Sequence, residues 1–141
     1  LQEERLVITI GAQVGAEEML RQTIEYCKSR TAFGKPISKF QHNTFKIVEC
    51  ATEVELGRTL LDSLIADYIA GKDIVKRVSM AKWWITEMTN RVAYHCLQLH
   101  GGYGFMEEYP IARAYRDARA GTIVGGTTEI MKVVIGRMMG L

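Results

Sequence analysis

Three short clusters combine glycine with side chains able to bind or react. The first runs from Arg30 to Gln41 and holds Arg30, Phe33, Gly34 and Gln41. The second is Gln98-Leu99-His100-Gly101-Gly102-Tyr103-Gly104-Phe105, and the third is Gly125-Gly126-Thr127-Thr128-Glu129. A guanidinium such as Arg30 offers a planar fork of donors for phosphate or carboxylate. It also stands where a helix is expected to end, and there a cation simply complements the helix dipole. Adjacent glycines such as Gly101-Gly102 let backbone approach a ligand closely, and they serve equally as a helix C-cap followed by a turn. The stretch follows a helical pattern and not a strand, so it is no dinucleotide fingerprint. Gly125-Gly126 precedes a helix whose free N–H groups would hold an anion or a polar ligand. Alternatively, Thr127 or Thr128 merely caps that helix.

Other reactive residues point away from chemistry. His42, His95 and His100 have no partner at metal-ligand spacing, so no metal site is expected and they read as structural or solvated. Cys27, Cys50 and Cys96 are odd in number and far apart. They read as small apolar residues in a reducing compartment. Arg113, Arg116 and Arg119, three apart on a short helix, form a solvated face. Trp83 and Trp84 are adjacent and face different sides of a helix, so at least one is packing.

The elements that must position the clusters are helical. Apolar residues recur at helical spacing from Leu6 through Ile10, Val14, Leu20, Ile24 and Cys27, which predicts a first helix over 3–29. After a break at 31–36, Ser38 and Gln41 form an S-x-x-Q capping box that opens a second helix. Its stripe runs through Phe45, Val48, Ala51, Val54, Leu61, Leu64, Ile65 and Tyr68, up to Gly71. Asp73 caps a third helix, with Ile74, Val78, Ala81, Ile85, Met88, Val92 and Leu99 on one side, ending at Gly101-Gly102. Residues 103–109 form a loop, Pro110 opens a fourth helix to Arg119, and a fifth covers about 127–139. No convincing strand is present. The expected fold is all-α: an antiparallel up-and-down bundle of three long and two short helices in a single domain over 1–141.

Composition sets the outer limits. With 141 residues, 48% apolar and 24% charged, the chain is of globular type and long enough for its own core. Its 18 basic and 16 acidic residues are interspersed, so there is no basic block to track a nucleic-acid backbone. No apolar run nears the ~20 residues of a membrane span, and no signal peptide is visible. The chain opens at Leu1 without an initiator Met, already inside a helical pattern, and is expected to be a piece of a longer protein.

Taken in order, the clusters resemble the C-terminal domain of the acyl-CoA dehydrogenase family. The resemblance covers nearly the whole chain, from Glu4-Arg5-Leu6 to the end. It rests on Tyr26-x-x-x-Arg30-x-x-Phe33-Gly34-x-x-Ile37-x-x-x-Gln41 and on Gln98 to Phe105, followed by Glu108-Tyr109-Pro110 and Arg116-Asp117-Ala118. Gly125-Gly126-Thr127-Thr128-Glu129-Ile130 completes it. The resemblance implies α,β-dehydrogenation of an acyl-CoA thioester to the trans-2-enoyl-CoA. A glutamate takes the α-proton while the β-hydrogen leaves as hydride to the flavin N5 of FAD, and electrons pass to an electron-transferring flavoprotein. It also implies an N-terminal helical domain and a middle β-domain outside these residues, and a homo-oligomer of two or four subunits. The compartment is then the cytoplasm in a bacterium or the mitochondrial matrix in a eukaryote. An oxidase-type relative, or a bundle that assembles without doing chemistry, are the rival readings.

One departure decides where the base lies. The commonest family pattern has glutamate where this chain has Gly125, and glycine cannot take a proton. The long-chain and isovaleryl types carry the base on the first helix, just before an arginine, and Glu4-Arg5 stands at that place. The resemblance therefore assigns catalysis to Glu4, with Arg5 and Gly126 on the substrate side. The plain alternative is that Glu4 is a first-turn carboxylate favoured by the helix dipole. FAD contacts carry over to Arg30, Ala32 or Phe33, Gln41, Gln98, Gly101, Gly102, Thr127 and Glu129, with Arg30 at the pyrophosphate. Several of these contacts reach the FAD of a neighbouring subunit in the family. Ala32 replaces a threonine common among relatives, and Gln41 is shared with the capping box.

Overall fold

The computed structural model describes residues 1–141, and its helices follow the apolar spacing closely. Helix α1 spans Gln2–Ser29, α2 Gln41–Ile69, α3 Val75–His100, α4 Pro110–Ala118 and α5 Thr128–Met138. Helix α3 is central and packs against the other four. Val78, Ala81, Ile85, Met88, Val92 and Cys96, spaced three or four apart, are all buried against Leu6, Ala16 and Leu20 of α1 and Leu61 and Leu64 of α2. Each such large apolar side chain contributes about 1.5–3 kcal/mol when fully buried.

Because α3 is enclosed on several sides, it also buries polar residues. Their hydroxyls are satisfied locally: Ser79 donates to the Val75 carbonyl at 2.7 Å, Thr86 to Lys82 at 2.8 Å and Thr89 to Ile85 at 2.8 Å. This back-bonding to the preceding turn is how a helix interior accommodates Ser and Thr. Helices α1 and α2 are tied by a bidentate pair, Arg58 to Glu17 at 2.7 Å on both arms.

Punctuation follows the expected residues with two corrections. Asp73 Oδ1 accepts from the Val75 N–H at 2.9 Å, Pro110 is the first residue of α4, and Thr127 caps α5 by accepting from the Ile130 N–H at 3.3 Å. The break at 31–36, expected as a strandless loop, is a hairpin: β1 (Thr31–Ala32) pairs antiparallel with β2 (Lys35–Pro36). Its two tip residues, Phe33 and Gly34, have φ of +52° and +81°, the signature of a type I′ turn. Two residues per strand are too few to leave an alternating pattern in sequence. The Ser38–Gln41 capping box does not form. Residues Ile37–Lys39 make a single 3₁₀ turn and Phe40 becomes the N-cap, so Gln41 is the first residue of α2 and not the third. Asn43 and Thr44 close the turn instead, donating to the carbonyls of Ile37 at 2.9 Å and Ser38 at 2.8 Å.

The apolar stripes are only partly core. Val14, Phe45 and Val48 are about half exposed and Ala51 is exposed, because α3 covers only one flank of α1 and of α2. The loop expected after α3 begins as a 3₁₀ turn, Gly101–Phe105. No helix is long and apolar enough to cross a membrane.

The cysteines are free and buried, as expected for apolar filling. Burial pushes their thiols from the ordinary 9.0 to about 11 for Cys27 and Cys50 and about 12 for Cys96. A raised folded-state pKa means the unfolded chain loses these protons first, so stability falls as pH climbs from about 9 toward 12. Buried Lys82 works the opposite way, its charge disfavoured in the fold, but it is one group against three. Under reducing conditions the urea midpoint is expected to drop between about pH 8 and pH 11; a flat midpoint would contradict the buried thiols.

Candidate functional site

The site is distributed over two clefts and one glycine turn. The first cleft, about 600 Å³, lies where α1 ends, α2 begins and α3 ends, and Arg30, Asn43, Gln98, Gly101, Gly102 and Tyr103 line it. Its wall is aromatic. Tyr26 stacks on His100 with ring centroids 4.3 Å apart, and the Tyr26 hydroxyl donates to the His100 carbonyl at 3.3 Å. His100 Nδ1 lies 2.8 Å from the Cys96 carbonyl, and burial lowers the ring's pKa, so it is a neutral structural histidine donating to that carbonyl. Arg30 caps α1 through its backbone N–H, 2.8 Å from the Tyr26 carbonyl. Its guanidinium is exposed, lies 5.2 Å from the Tyr103 ring centre and pairs with no carboxylate of the chain.

The glycines of this cleft divide by role. Gly101 has φ +60° and ψ −141°, a region open only to glycine. At Gly102 an added Cβ would meet nothing within 4 Å, whereas at Gly104 it would lie 2.6 Å from the Leu97 carbonyl oxygen. Gly104→Ala is therefore expected to cost about 1–3 kcal/mol, as overpacking does. Gly102→Ala should stay within about 0.5 kcal/mol, since its methyl enters open space lining the cleft. Urea unfolding of the two variants checks the contrast.

A second cleft, about 650 Å³, is lined by Asn90, Arg116, Arg119, Thr127, Thr128 and Glu129 among others. Thr127 is partly used as the α5 cap. Glu129 is held below the usual carboxylate range by its own backbone N–H and then by the Thr127 hydroxyl. Arg113 is solvated as expected, while Arg116 and Arg119 border this cleft.

The turn at Gly125-Gly126 is where distant chain segments converge. Gly125 has φ +66° and Gly126 φ +109°. Arg5 Nε donates to the Gly125 carbonyl at 3.2 Å, and Lys82 Nζ donates to the Gly126 carbonyl at 2.5 Å. On the far side, the Thr128 hydroxyl donates to Glu87 at 2.7 Å. The first turn of α1 is thereby tied to the residues just before α5. Glu3 and Glu4 separate there. Glu3 accepts from the Tyr68 hydroxyl at 2.7 Å, facing α2. Glu4 is held by no other side chain, and its carboxylate is 68% exposed, 3.9 Å from the terminal ammonium.

The residues expected to act together are thus grouped in part. Arg30, Gln98, Gly101 and Gly102 share one cleft; Thr127 and Glu129 line the other, which has no residue in common with the first. Arg5 meets Gly125 and Gly126 at the turn, whereas the neighbouring Glu4 carboxylate stays exposed. Phe33 projects from the hairpin tip, 96% exposed, and Gln41 is exposed with no capping bond. Lys82, Glu87 and Asn43 escaped notice in the sequence. Lys82 had a signal: it sits four residues after Val78 and three before Ile85, a lone cation on the buried face of α3.

These features meet close counterparts among known proteins. Residues 1–140 match the family model described as acyl-CoA dehydrogenase, C-terminal domain. The mitochondrial long-chain specific acyl-CoA dehydrogenase of Sus scrofa is 45% identical over 137 residues, 97% of this chain and 32% of the relative. The crystal structure of an acyl-CoA dehydrogenase from Geobacillus kaustophilus superposes with a TM-score of 0.98 at 56% identity, over 99% of this chain and 37% of that one. The FAD complex of PigA is a more distant likeness, at 28% identity and a TM-score of 0.87, over 92% of this chain and 34% of that one. The chain spans about a third of the length of the curated relatives it matches. A bundle with these clusters, this topology and these counterparts belongs to the acyl-CoA dehydrogenase family and is its C-terminal domain.

Proposed function

We propose that this domain supplies the catalytic base and part of the flavin site of a longer FAD-dependent acyl-CoA dehydrogenase, with N-terminal helical and middle β-domains beyond these residues. The observation that carries the reading is the Arg5–Gly125 hydrogen bond. It sets the first turn of α1 beside the position where the commoner family pattern keeps its glutamate. A carboxylate at Glu4 and a Gly125 without one are then complementary: α1 carries the base that the turn before α5 lacks, and the space a side chain at Gly125 would enter is taken by Ile8, whose Cδ1 lies 2.5 Å from an added Cβ.

The first cleft fits FAD by its own features. Arg30 is an unpaired guanidinium at its edge, Gly101 and Gly102 expose backbone, and the Gln98 amide makes no hydrogen bond within the chain. Arg30 would hold the pyrophosphate, Gln98 and the glycine backbone the adjoining polar groups, and Phe33 and Gln41 the outer edge. Thr127 and Glu129 serve a separate portion, in keeping with a cofactor shared between subunits of a homo-oligomer. FAD, when bound, supplies the acceptor for the β-hydride. The chain's own work is to take the α-proton on the Glu4 carboxylate, with Arg5 fixing the turn opposite. Proton abstraction from carbon needs that carboxylate desolvated. Glu4 is exposed in the domain by itself, which supports assigning the activity to the longer enzyme, where other domains would cover that carboxylate. Electrons then leave to an electron-transferring flavoprotein.

The test is an anaerobic absorbance titration of the FAD-loaded longer enzyme with acyl-CoA thioesters. Bleaching of the oxidised flavin band is the expected result; an unchanged band would remove the dehydrogenase reading. Oxygen uptake during turnover would mark an oxidase instead.

A further inference from the structure

Lys82 is fully buried in the middle of α3, at 0% exposure, with its ammonium on the Gly126 carbonyl. It forms no ion pair within the chain. Burying an ammonium without a counter-ion is costly, and an apolar residue of like length would fill the space at less cost. Stability therefore gives no reason for a lysine there. The charged groups facing it are Arg5 and Glu87. Arg5 occupies the neighbouring carbonyl, that of Gly125, and Glu87 takes the Thr128 hydroxyl at the other end of the turn.

Two consecutive carbonyls are thus turned onto two cations, one from α1 and one from α3. Both glycines lie at positive φ, so the turn has wide conformational freedom unless something holds it. Loss of either donor would free the peptide it grips. The Gly125 carbonyl is the acceptor that anchors Arg5, and Glu4 is the residue immediately before Arg5.

We propose that Lys82 is a positioning residue: by holding the Gly126 carbonyl it locks the Gly125-Gly126 turn, which in turn sets the first turn of α1 and the Glu4 carboxylate. The inference rests on the reading of Glu4 as the base. Lys82 touches neither substrate nor cofactor in this account. It acts through the turn, so its removal should slow the reaction without weakening substrate binding in proportion.

The experiment compares Lys82→Met, which keeps the length and removes the donor, with Lys82→Gln, which keeps an N–H donor. Both are made in the FAD-loaded longer enzyme. In Lys82→Met the rate of flavin reduction at saturating acyl-CoA is expected to fall about 10- to 100-fold, with KM nearly unchanged. Lys82→Gln should recover part of the rate. Hydrogen–deuterium exchange over residues 125–128 should quicken in Lys82→Met. A folded, FAD-loaded Lys82→Met with a near-native reduction rate would overturn the proposal, as would native exchange in that segment. If Lys82→Met does not fold, Lys82→Ala, which also removes the donor, decides by the same two readouts: slower reduction with faster exchange supports the proposal, and native values of both overturn it. Should Glu4→Gln leave reduction intact, the base reading falls by that result. The exchange readout still judges whether Lys82 locks the turn.

Discussion

Glu4→Gln in the FAD-loaded enzyme is expected to lower the rate of flavin reduction by acyl-CoA about 10²- to 10⁴-fold, the contribution of a positioned general base. Glutamine keeps the shape and hydrogen-bonding reach of glutamate but cannot accept the α-proton. Glu4 accepts no hydrogen bond from any side chain of the domain, so folding of the domain should change by no more than about 0.5 kcal/mol. FAD should remain bound, because the two clefts proposed for it are lined by other residues. Glu3→Gln is the matched control. Its carboxylate is turned to the Tyr68 hydroxyl, and reduction should stay within about twofold of the native rate. Equal losses in the two variants, or none in Glu4→Gln, would move the base elsewhere.

The second large effect is expected at Arg30. Its backbone makes the α1 cap and the bond that admits the hairpin, with the Ile37 N–H 2.8 Å from its carbonyl. Those bonds survive any side-chain change, so Arg30→Gln should fold as before. The guanidinium lies over the Tyr103 ring and pairs with no carboxylate, so under the proposed reading its fork would be free for the pyrophosphate. Losing charge-assisted hydrogen bonds worth about 1.5–3 kcal/mol should weaken FAD binding roughly 10- to 100-fold in a fluorescence titration. Arg30→Lys keeps the charge and loses the bidentate geometry, so it should fall between the two. The Arg30→Gln loss should also shrink as salt is raised, since a partly exposed ion pair is screened. An FAD affinity indifferent to Arg30 would leave the residue as a dipole partner of α1 and nothing more.

Much of this architecture was legible residue by residue. The spacing of Val78, Ala81, Ile85, Met88 and Val92 marked α3 and its buried face, and Pro110 and Thr127 marked helix starts that the structure keeps, while Asp73 stands one residue before the cap, which is Ile74. These signals are local. A cap or an i, i+3/i+4 stripe is decided within one or two turns of chain, where the competing conformations are few. The same locality explains the errors. Val14, Phe45 and Val48 continue their stripes yet stay exposed, because periodicity names a face without naming its partner. Ser38 and Gln41 carry the letters of a capping box, but the 3₁₀ turn that follows the hairpin sets where α2 begins. Phe33 at φ +52° runs against the preference of a bulky side chain, so no propensity could place it.

By itself, the sequence determined an all-helical domain, its family, and the three clusters from which a flavin and acyl-CoA site would be built. Only the tertiary structure decided that Arg5 meets Gly125 across 120 residues, that Arg30 shares a cleft with Gln98 while Thr127 lines another, and that Lys82 lies buried beneath the glycine turn. Those contacts depend on how whole helices cross and which flanks they cover, a property of the packed bundle that is not carried by any single stretch of chain.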